Sequence, residues 1–372
     1  MKIKNILYVA HNTIGGIGTV ITTLLNTFNK GTYRSRCITS RDNPVSMFLF
    51  FLKVLIRRPV IINKKKESSS YDIYHFQGAW TLHLFILRLV KNTKTIVSPH
   101  GAFNKVSLQK SYFKKRLVSF LYMKSAYKNS DCITASTEIE LNNIKDYGIN
   151  NVPIALIPIG IDLDEEILSD HDLKRELLSW AKNRKIILSL SRLDVSKGID
   201  LLLEAYNNFL HKDQYVLFIV GDGDSKYEKK LSTYIENNGL NSSVKMFGFR
   251  EGIAKHTFYD VADLFVLPSY NEGFGITILE ALRQNTPVIA SKGTPFRELP
   301  KRNCGWYVET NSLGIEKAMR EFHNLNDLEL IEMKKNGLGW LKEDFDQKII
   351  NTKMDSLYSW IISKGERPSF VY

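Results

Sequence analysis

The sequence predicts an α/β protein built from two parallel-sheet domains, and three observations carry that reading. Short apolar runs rich in Val, Ile and Tyr alternate with amphipathic helical stretches along the chain, the pattern of successive βαβ units. The alternation breaks at Ile157-Pro158-Ile159-Gly160-Ile161-Asp162, where Pro and Gly mark a linker, and then restarts. At 372 residues the chain is long for one hydrophobic core and suits two.

In the first half, Ile3–Ala10 reads as a strand and Gly18–Phe28 as a helix. Strands follow at Arg36–Ser40 and Tyr71–Phe76, with a helix at Trp80–Val90 and a strand at Thr95–Ser98. Lys110–Lys128 reads as a long basic, aromatic helix. Cys132–Ala135 is a strand, Ser136 or Thr137 can cap a helix running to Asp146, and Val152–Ile157 is a strand. In the second half, strands are expected at Lys185–Ser191, Tyr215–Val220, Val244–Phe247, Leu264–Pro268, Val288–Ala290 and Trp306–Val308. Helices are expected at Ile199–His211, Lys226–Asn237, His256–Val261 and Ile276–Gln284, and the tail from Ile315 reads as helical. The expected division is a Rossmann-like domain over 1–165, a second over 166–345, and a helical tail over 346–372 that packs back on the first domain.

Composition describes an ordinary folded protein: 44% hydrophobic and 24% charged residues, with no disorder or coiled-coil signature. The apolar stretch at the start is too short for a signal peptide and lacks a small-residue cleavage site. Three widely spaced cysteines, Cys37, Cys132 and Cys304, offer neither a disulfide framework nor metal spacing, which fits a reducing cytosol and no bound metal. Charge is uneven. Residues 1–150 hold 23 Lys and Arg against 7 Asp and Glu, so the net +12 of the chain belongs to its first half. Such a field favours an anionic membrane surface, a phosphate-bearing lipid or nucleic acid. Met47–Arg58 is too short and too charged to span a bilayer but suits its interface, and no acid interrupts the chain between Asp72 and Asp131. Nucleic acid is disfavoured, because no helix-turn-helix, zinc or RNA-reading motif is present.

The most informative segment is Asn271-Glu272-Gly273-Phe274-Gly275-Ile276-Thr277-Ile278-Leu279-Glu280. It follows a strand and opens a helix, so Glu272 lies on a loop at a strand's carboxyl end and Glu280 about one turn inside the following helix. In open α/β sheets ligands bind at that edge, and a helix start offers unpaired amides and positive dipole to an anion. Two carboxylates flanking an anion hole suit a ligand both phosphorylated and rich in hydroxyls. Ser191-Arg192-Leu193-Asp194-Val195-Ser196-Lys197-Gly198 occupies the same edge. Its Arg192 and Lys197 are placed to meet one diphosphate, as a planar fork and as a point charge. Gly221-Asp222-Gly223 after the next strand lets backbone approach a ligand, and Phe247-Gly248-Phe249-Arg250 offers amides and an aromatic face to a base. In the first half, Gly15-Gly16-Ile17-Gly18 is an anion-cradling turn whose spacing departs from a dinucleotide fingerprint. Pro99-His100-Gly101 presents an imidazole beyond a strand end, able to bond a sugar hydroxyl or phosphate, whereas His11, His75 and His83 read as structural.

Together these residues resemble the retaining glycosyltransferases of sequence family 4, which have the GT-B fold of two Rossmann-like domains facing across a cleft. The likeness rests on the Arg192/Lys197 loop, Gly221-Asp222-Gly223, Pro268-Ser269, Glu272 through Glu280, and Pro287-Val288-Ile289-Ala290. It is looser at Gly15-Gly16 and Pro99-His100-Gly101. The resemblance implies that Arg192 and Lys197 neutralise a donor diphosphate and that Glu280 accepts from a ribose. It implies that Glu272 and the amides of Phe274, Gly275 and Ile276 hold the sugar and its phosphate. His100 would touch the sugar and Gly16 lie near the phosphate, with Gly221, Gly223 and Phe249 completing the donor pocket. It implies no bound metal; Asp222-Gly223-Asp224 has metal-motif spacing but a turn's composition. Two departures are Arg283-Gln284-Asn285, where small residues are usual, and Gly293-Thr294-Pro295, where a Gly pair is usual.

The expected activity is transfer of a sugar from a nucleotide diphosphate donor, a UDP-sugar before a GDP-sugar, to a lipid-linked or polysaccharide acceptor in capsule, O-antigen or exopolysaccharide assembly. The enzyme would be cytoplasmic and peripheral on the inner face of the membrane, held there by its basic first domain. A nucleotide-sugar epimerase on the same architecture is the competing enzyme, and a basic nucleic-acid-binding protein the competing class.

Overall fold

The computed structural model describes residues 4–10, 33–39, 71–79, 93–104, 108, 113, 119, 123–363 and 365–372. The chain forms two compact units, Met1–Gly160 with Lys348–Tyr372, and Ile161–Gln347. The expected helices at Gly18–Phe28 and Trp80–Val90, the Gly15–Gly18 turn, the Met47–Arg58 segment and most of the 110–128 helix lie outside the described residues.

The first unit holds a parallel sheet of six described strands, β1 (Lys4–Ala10), β2 (Tyr33–Thr39), β3 (Ile73–Gln77), β4 (Lys94–Ser98), β5 (Cys132–Ala135) and β6 (Ile154–Leu156), in the order β2-β1-β3-β4-β5-β6. Two described helices follow β4 and β5, α1 (Lys124–Lys128) and α2 (Glu138–Asp146). Of the two capping candidates Thr137 takes the role, its hydroxyl accepting from the Glu140 amide at 3.0 Å. One sheet face packs Leu7, Val9, Phe76, Val97 and Ile133 against Phe103, Tyr127 and Ile144. The other packs Ile6, Tyr8, Ile73 and Ile96 against Ile350, Met354, Leu357, Tyr358 and Ile361 of the C-terminal helix Gln347–Ser363. Strands fully buried on both faces are what parallel sheets require, and their continuous apolar runs reflect it.

Polar groups enter that second face as one connected chain. The Tyr8 and Tyr358 hydroxyls lie 3.0 Å apart, Tyr358 meets His75 Nδ1 at 3.0 Å, His75 Nε2 meets Ser98 at 2.7 Å, and Ser98 meets Thr134 at 2.5 Å. Burial pushes the His75 pKa down to about 3, so the ring is neutral and both nitrogens are used. His75 is therefore a structural histidine, as its sequence setting suggests. His11 and His83 lie outside the described residues.

The second unit carries a second six-stranded parallel sheet. It contains β7 (Lys185–Leu190), β8 (Tyr215–Val220), β9 (Val244–Met246), β10 (Leu264–Leu267), β11 (Val288–Ser291) and β12 (Gly305–Val308), ordered β12-β11-β10-β7-β8-β9. Its helices are α3 (His171–Ala181), α4 (Ile199–Asn208), α5 (Ser225–Asn237), α6 (Gly252–Asp260), α7 (Ile276–Arg283), α8 (Ser312–His323) and α9 (Asp327–Trp340). α3 is absent from the sequence reading. The helix expected at His256–Val261 begins earlier, at Gly252. A core of Ile187, Leu202, Tyr206, Leu217, Ile219, Leu231, Val266 and Ile289 fills one face of the sheet beneath α4, α5 and α8. The order reverses between β7 and β10. That switch point, where neighbouring connections leave in opposite directions, is where a doubly wound sheet opens a crevice at its carboxyl edge.

Candidate active site

The second sheet sends three loops from its carboxyl edge to the switch point. The loop after β7 is shaped by Asp194. Its carboxylate accepts from the Ser196 amide at 2.8 Å and from the Ser196 hydroxyl, capping a single 3₁₀ turn, Val195–Lys197. Burial raises the Asp194 pKa, but the Ser196 bonds and the cations Arg192 and Lys197 outweigh it and leave the group below its ordinary value. The loop after β8 is held by backbone. Leu193 donates to Asp222 O at 2.7 Å and Asp224 donates to Leu193 O at 2.8 Å, so Gly223 forms a bridge with Leu193. Gly221 has a φ of +137°, and a Cβ there would fall 1.8 Å from Ser191 O. Only glycine permits the β7 and β8 loops to close on each other in this way.

The third loop follows β10. Glu272 is fixed from two directions, because Lys197 Nζ donates to its Oε2 at 2.6 Å and Ser269 Oγ donates to the same atom at 3.1 Å. Both side chains are largely withdrawn from solvent, at 12% and 14% exposure, so the pair is weakly screened. The bond joins the β7 and β10 loops across the switch point. Gly293 O accepts from the Glu272 amide at 2.9 Å, which ties the β11 loop to the same place. That assigns the Gly293 loop a supporting role despite its unusual sequence.

Helix α7 starts four residues beyond Glu272, with Gly275 as its N-cap at φ +89°. A glycine cap has no side chain to bond the first amides, and that of Ile278 bonds Gly275 O at 3.0 Å. The Phe274 ring turns inward, buried against Phe296 and Phe345, so this residue can offer a ligand only its backbone. One turn into α7, Glu280 accepts from Lys255 Nζ at 2.7 Å and from the Tyr259 hydroxyl at 2.9 Å, both on α6. Phe249 is 56% exposed just beyond β9, where Gly221 donates to Gly248 O at 2.8 Å.

The structure thus brings Lys197, Glu272, Gly275 and Ile276 together at one edge, with Gly221, Gly223, Phe249 and Glu280 on the flanking loops and helix. Arg192 stands apart. Its side chain is 78% exposed and pairs with Asp194 at 3.2 Å rather than with the Lys197 pair.

His100 belongs to the first unit, at the end of β4 with a φ of +52°. Its Nε2 lies 2.6 Å from Gln77 Oε1 at the end of β3. Burial pushes its pKa down to about 4, so it works as a neutral ring. The next residue anchors the turn, since Gly101 donates its amide to Glu140 Oε1 at 2.5 Å while Ser136 donates its amide and hydroxyl to Oε2 at 2.8 and 2.7 Å. Gly16, the other expected ligand in this unit, lies outside the described residues. Sequence reasoning did not single out Lys255, Tyr259, Gln77 or Glu140, and quoted Asp194 and Ser269 only within longer segments. Asp194 carried a readable signal, an acid immediately before a short turn whose second amide it can accept from. Among the described residues no group of three His, Cys, Asp or Glu side chains is placed to hold a metal ion, and no helix is long and apolar enough to cross a membrane. The cysteines are free thiols.

Two family models match the chain, Glycosyltransferase Family 4 over residues 14–165 and Glycosyl transferases group 1 over residues 170–337. Among curated relatives, a mannosylfructose-phosphate synthase from Agrobacterium fabrum is 30% identical over 200 residues, half of this chain and 43% of that protein. A UDP-Gal:α-D-GlcNAc-diphosphoundecaprenol α-1,3-galactosyltransferase from Escherichia coli is 26% identical over 72% of each chain. The chain spans about half the length of the first curated relatives it matches. Among solved structures, a sucrose-phosphate synthase from Thermosynechococcus elongatus superposes with a TM-score of 0.78 at 18% identity, covering 97% of this chain and all of the other. That likeness shows the GT-B fold.

Proposed function

The chain belongs to the group 1 glycosyl transferases of family 4, and from that premise we propose a retaining transferase. It moves a sugar from a nucleotide diphosphate donor to a lipid-linked or polysaccharide acceptor in surface glycan assembly. The observation that carries the reading is the Lys197–Glu272 pair, drawn across the switch point of the second sheet beside the uncapped start of α7. An ammonium and a helix N-terminus converging on one edge form a receptor for diphosphate. A carboxylate held by both Lys197 and Ser269 is engaged as a hydroxyl acceptor and positioner, and is poorly placed to attack carbon itself.

In the reaction proposed, the acceptor hydroxyl approaches the sugar's anomeric carbon on the face from which the diphosphate departs. The new C–O bond forms as the old one breaks, the diphosphate leaves with the electron pair, and its oxygen takes the acceptor's proton. Lys197, the α7 amides and Arg192, swung from Asp194, stabilise the charge that builds on the departing oxygen. Glu280 holds the ribose, and Phe249 and the Gly221–Gly223 turn line the base and phosphate walls. A UDP-sugar is the favoured donor because the E. coli relative is named for UDP-Gal; a GDP-sugar is the alternative. The same name, with its diphosphoundecaprenol, favours a lipid-linked acceptor. The excess of Lys and Arg over residues 1–150 favours peripheral attachment to an anionic inner membrane face.

The test is transfer from UDP- and GDP-sugars to a polyprenyl-diphosphate sugar with and without EDTA, with the anomeric configuration of the product read by NMR. Retained configuration and EDTA-insensitive turnover support the proposal; an inverted product overturns retention. Interconversion of the donor sugar without any acceptor would identify an epimerase instead.

A further inference from the structure

Resting on the reading that a nucleotide diphosphate binds the second unit, we propose that Lys255 and Tyr259 are positioning residues that hold Glu280 to recognise a ribose diol. An ionised carboxylate offers about four lone-pair sites, two on each oxygen. Lys255 Nζ takes one on Oε1 at 2.7 Å, and the Tyr259 hydroxyl takes one on Oε2 at 2.9 Å. One site is left on each oxygen, and two acceptors on one rigid carboxylate match two neighbouring hydroxyls.

The holders come from a single face of α6, four residues apart. The Tyr259 ring is fully buried, which fixes its hydroxyl; burial and the facing Glu280 push its pKa well above the ordinary value, so it remains a donor. Glu280 is 12% and Lys255 24% exposed, so their attraction is only partly screened. Arg283, the next cation on α7, is turned away to the carboxylate and carbonyl of Glu165, which leaves Lys255 to meet Glu280. A carboxylate only 12% exposed that loses its cation becomes an uncompensated charge and turns toward water. That removes the paired acceptors, so Lys255 acts on the ligand through Glu280 and need not touch it.

The experiment is calorimetric titration of whichever of UDP, GDP and ADP binds wild type most tightly, compared with its 2′,3′-dideoxy form. The proteins are wild type, Lys255→Met, Lys255→Arg and Tyr259→Phe, each first checked for a cooperative thermal transition. Wild type is expected to prefer the ribose form by about tenfold or more, the value of hydrogen bonds to a charged acceptor. In Lys255→Met the preference falls to about threefold or less because the ribose form weakens while the dideoxy form does not. Lys255→Arg keeps the preference and Tyr259→Phe loses part of it. A Lys255→Met protein with the wild-type preference, or a larger one, overturns the positioning role while the donor reading stands. If wild type binds none of the three diphosphates, the donor reading falls and this inference with it.

Discussion

At the scale of single residues the site is a matter of which charges face each other. Lys197 and Glu272 are 75 residues apart and meet at 2.6 Å because β7 and β10 are neighbours in the sheet. Lys197→Met is expected to lower the rate of transfer by about 10²–10³-fold, the effect of deleting one preorganised donor to a leaving oxygen. Steady-state kinetics on a donor-saturated assay measures it, and a loss under tenfold would remove Lys197 from the chemistry. A second prediction concerns His75. Its pKa is about 3 in the fold against an ordinary 6.5. Below pH 6.5 the unfolded chain takes up a proton that the native ring refuses, so stability falls with pH by about 1.4 kcal/mol per unit for this group. His75→Gln keeps hydrogen-bonding capacity without titrating. Its deficit relative to wild type should therefore shrink between pH 6.5 and 5 in urea unfolding; a constant gap contradicts the assignment. The acid, cation and glycines of the loops at this edge could be read from sequence because they sit where strands end. Lys255 and Tyr259 could not, since each is an ordinary residue until the fold sets it against a carboxylate.

At the scale of elements, close approach of backbones sets the shape of the edge. The β7 and β8 loops interlock through Leu193 and Asp222, and the Gly221 position has no room for a Cβ. Gly221→Ala is expected to cost about 1–3 kcal/mol or more of stability through strain at a positive φ and collision with Ser191 O. A thermal melt that moves by less than 1 °C would show that the loops separate without penalty. The strands of both sheets were visible in the sequence, Cys132–Ala135 and Tyr215–Val220 at their observed bounds and the others with an end displaced by one to three residues. Helix α3 escaped notice although Asp170 caps it and Leu173, Leu177, Trp180 and Ala181 recur at helical spacing. Only Leu177 and Ala181 of it are buried, so its apolar stripe is thin, and the run Lys174-Arg175-Glu176 interrupts the apolar pattern.

At the scale of the whole molecule, the two units differ in how the chain completes them. The second is continuous over Ile161–Gln347, whereas the first recruits Lys348–Tyr372 from the far end. The C-terminal helix fills one face of the first sheet, and residues 370–372 pair with β6 through Leu156→Phe370 O, Ile154→Tyr372 O and Tyr372→Ile154 O bonds of 2.8–2.9 Å. Leu357→Ala should destabilise the first unit by about 2–5 kcal/mol, as large-to-small changes in a closed core do; an unchanged urea midpoint would show the helix to be dispensable. The central claim concerns the other unit, whose carboxyl edge is assigned to a nucleotide diphosphate. Calorimetric titration of UDP, GDP and ADP into wild type and Glu272→Gln or Lys197→Met protein tests it most directly. The account predicts saturable binding of one of the three to wild type without added metal, weakened at least tenfold by Lys197→Met. Binding that is equal in wild type and Lys197→Met, or absent for all three nucleotides, would contradict it.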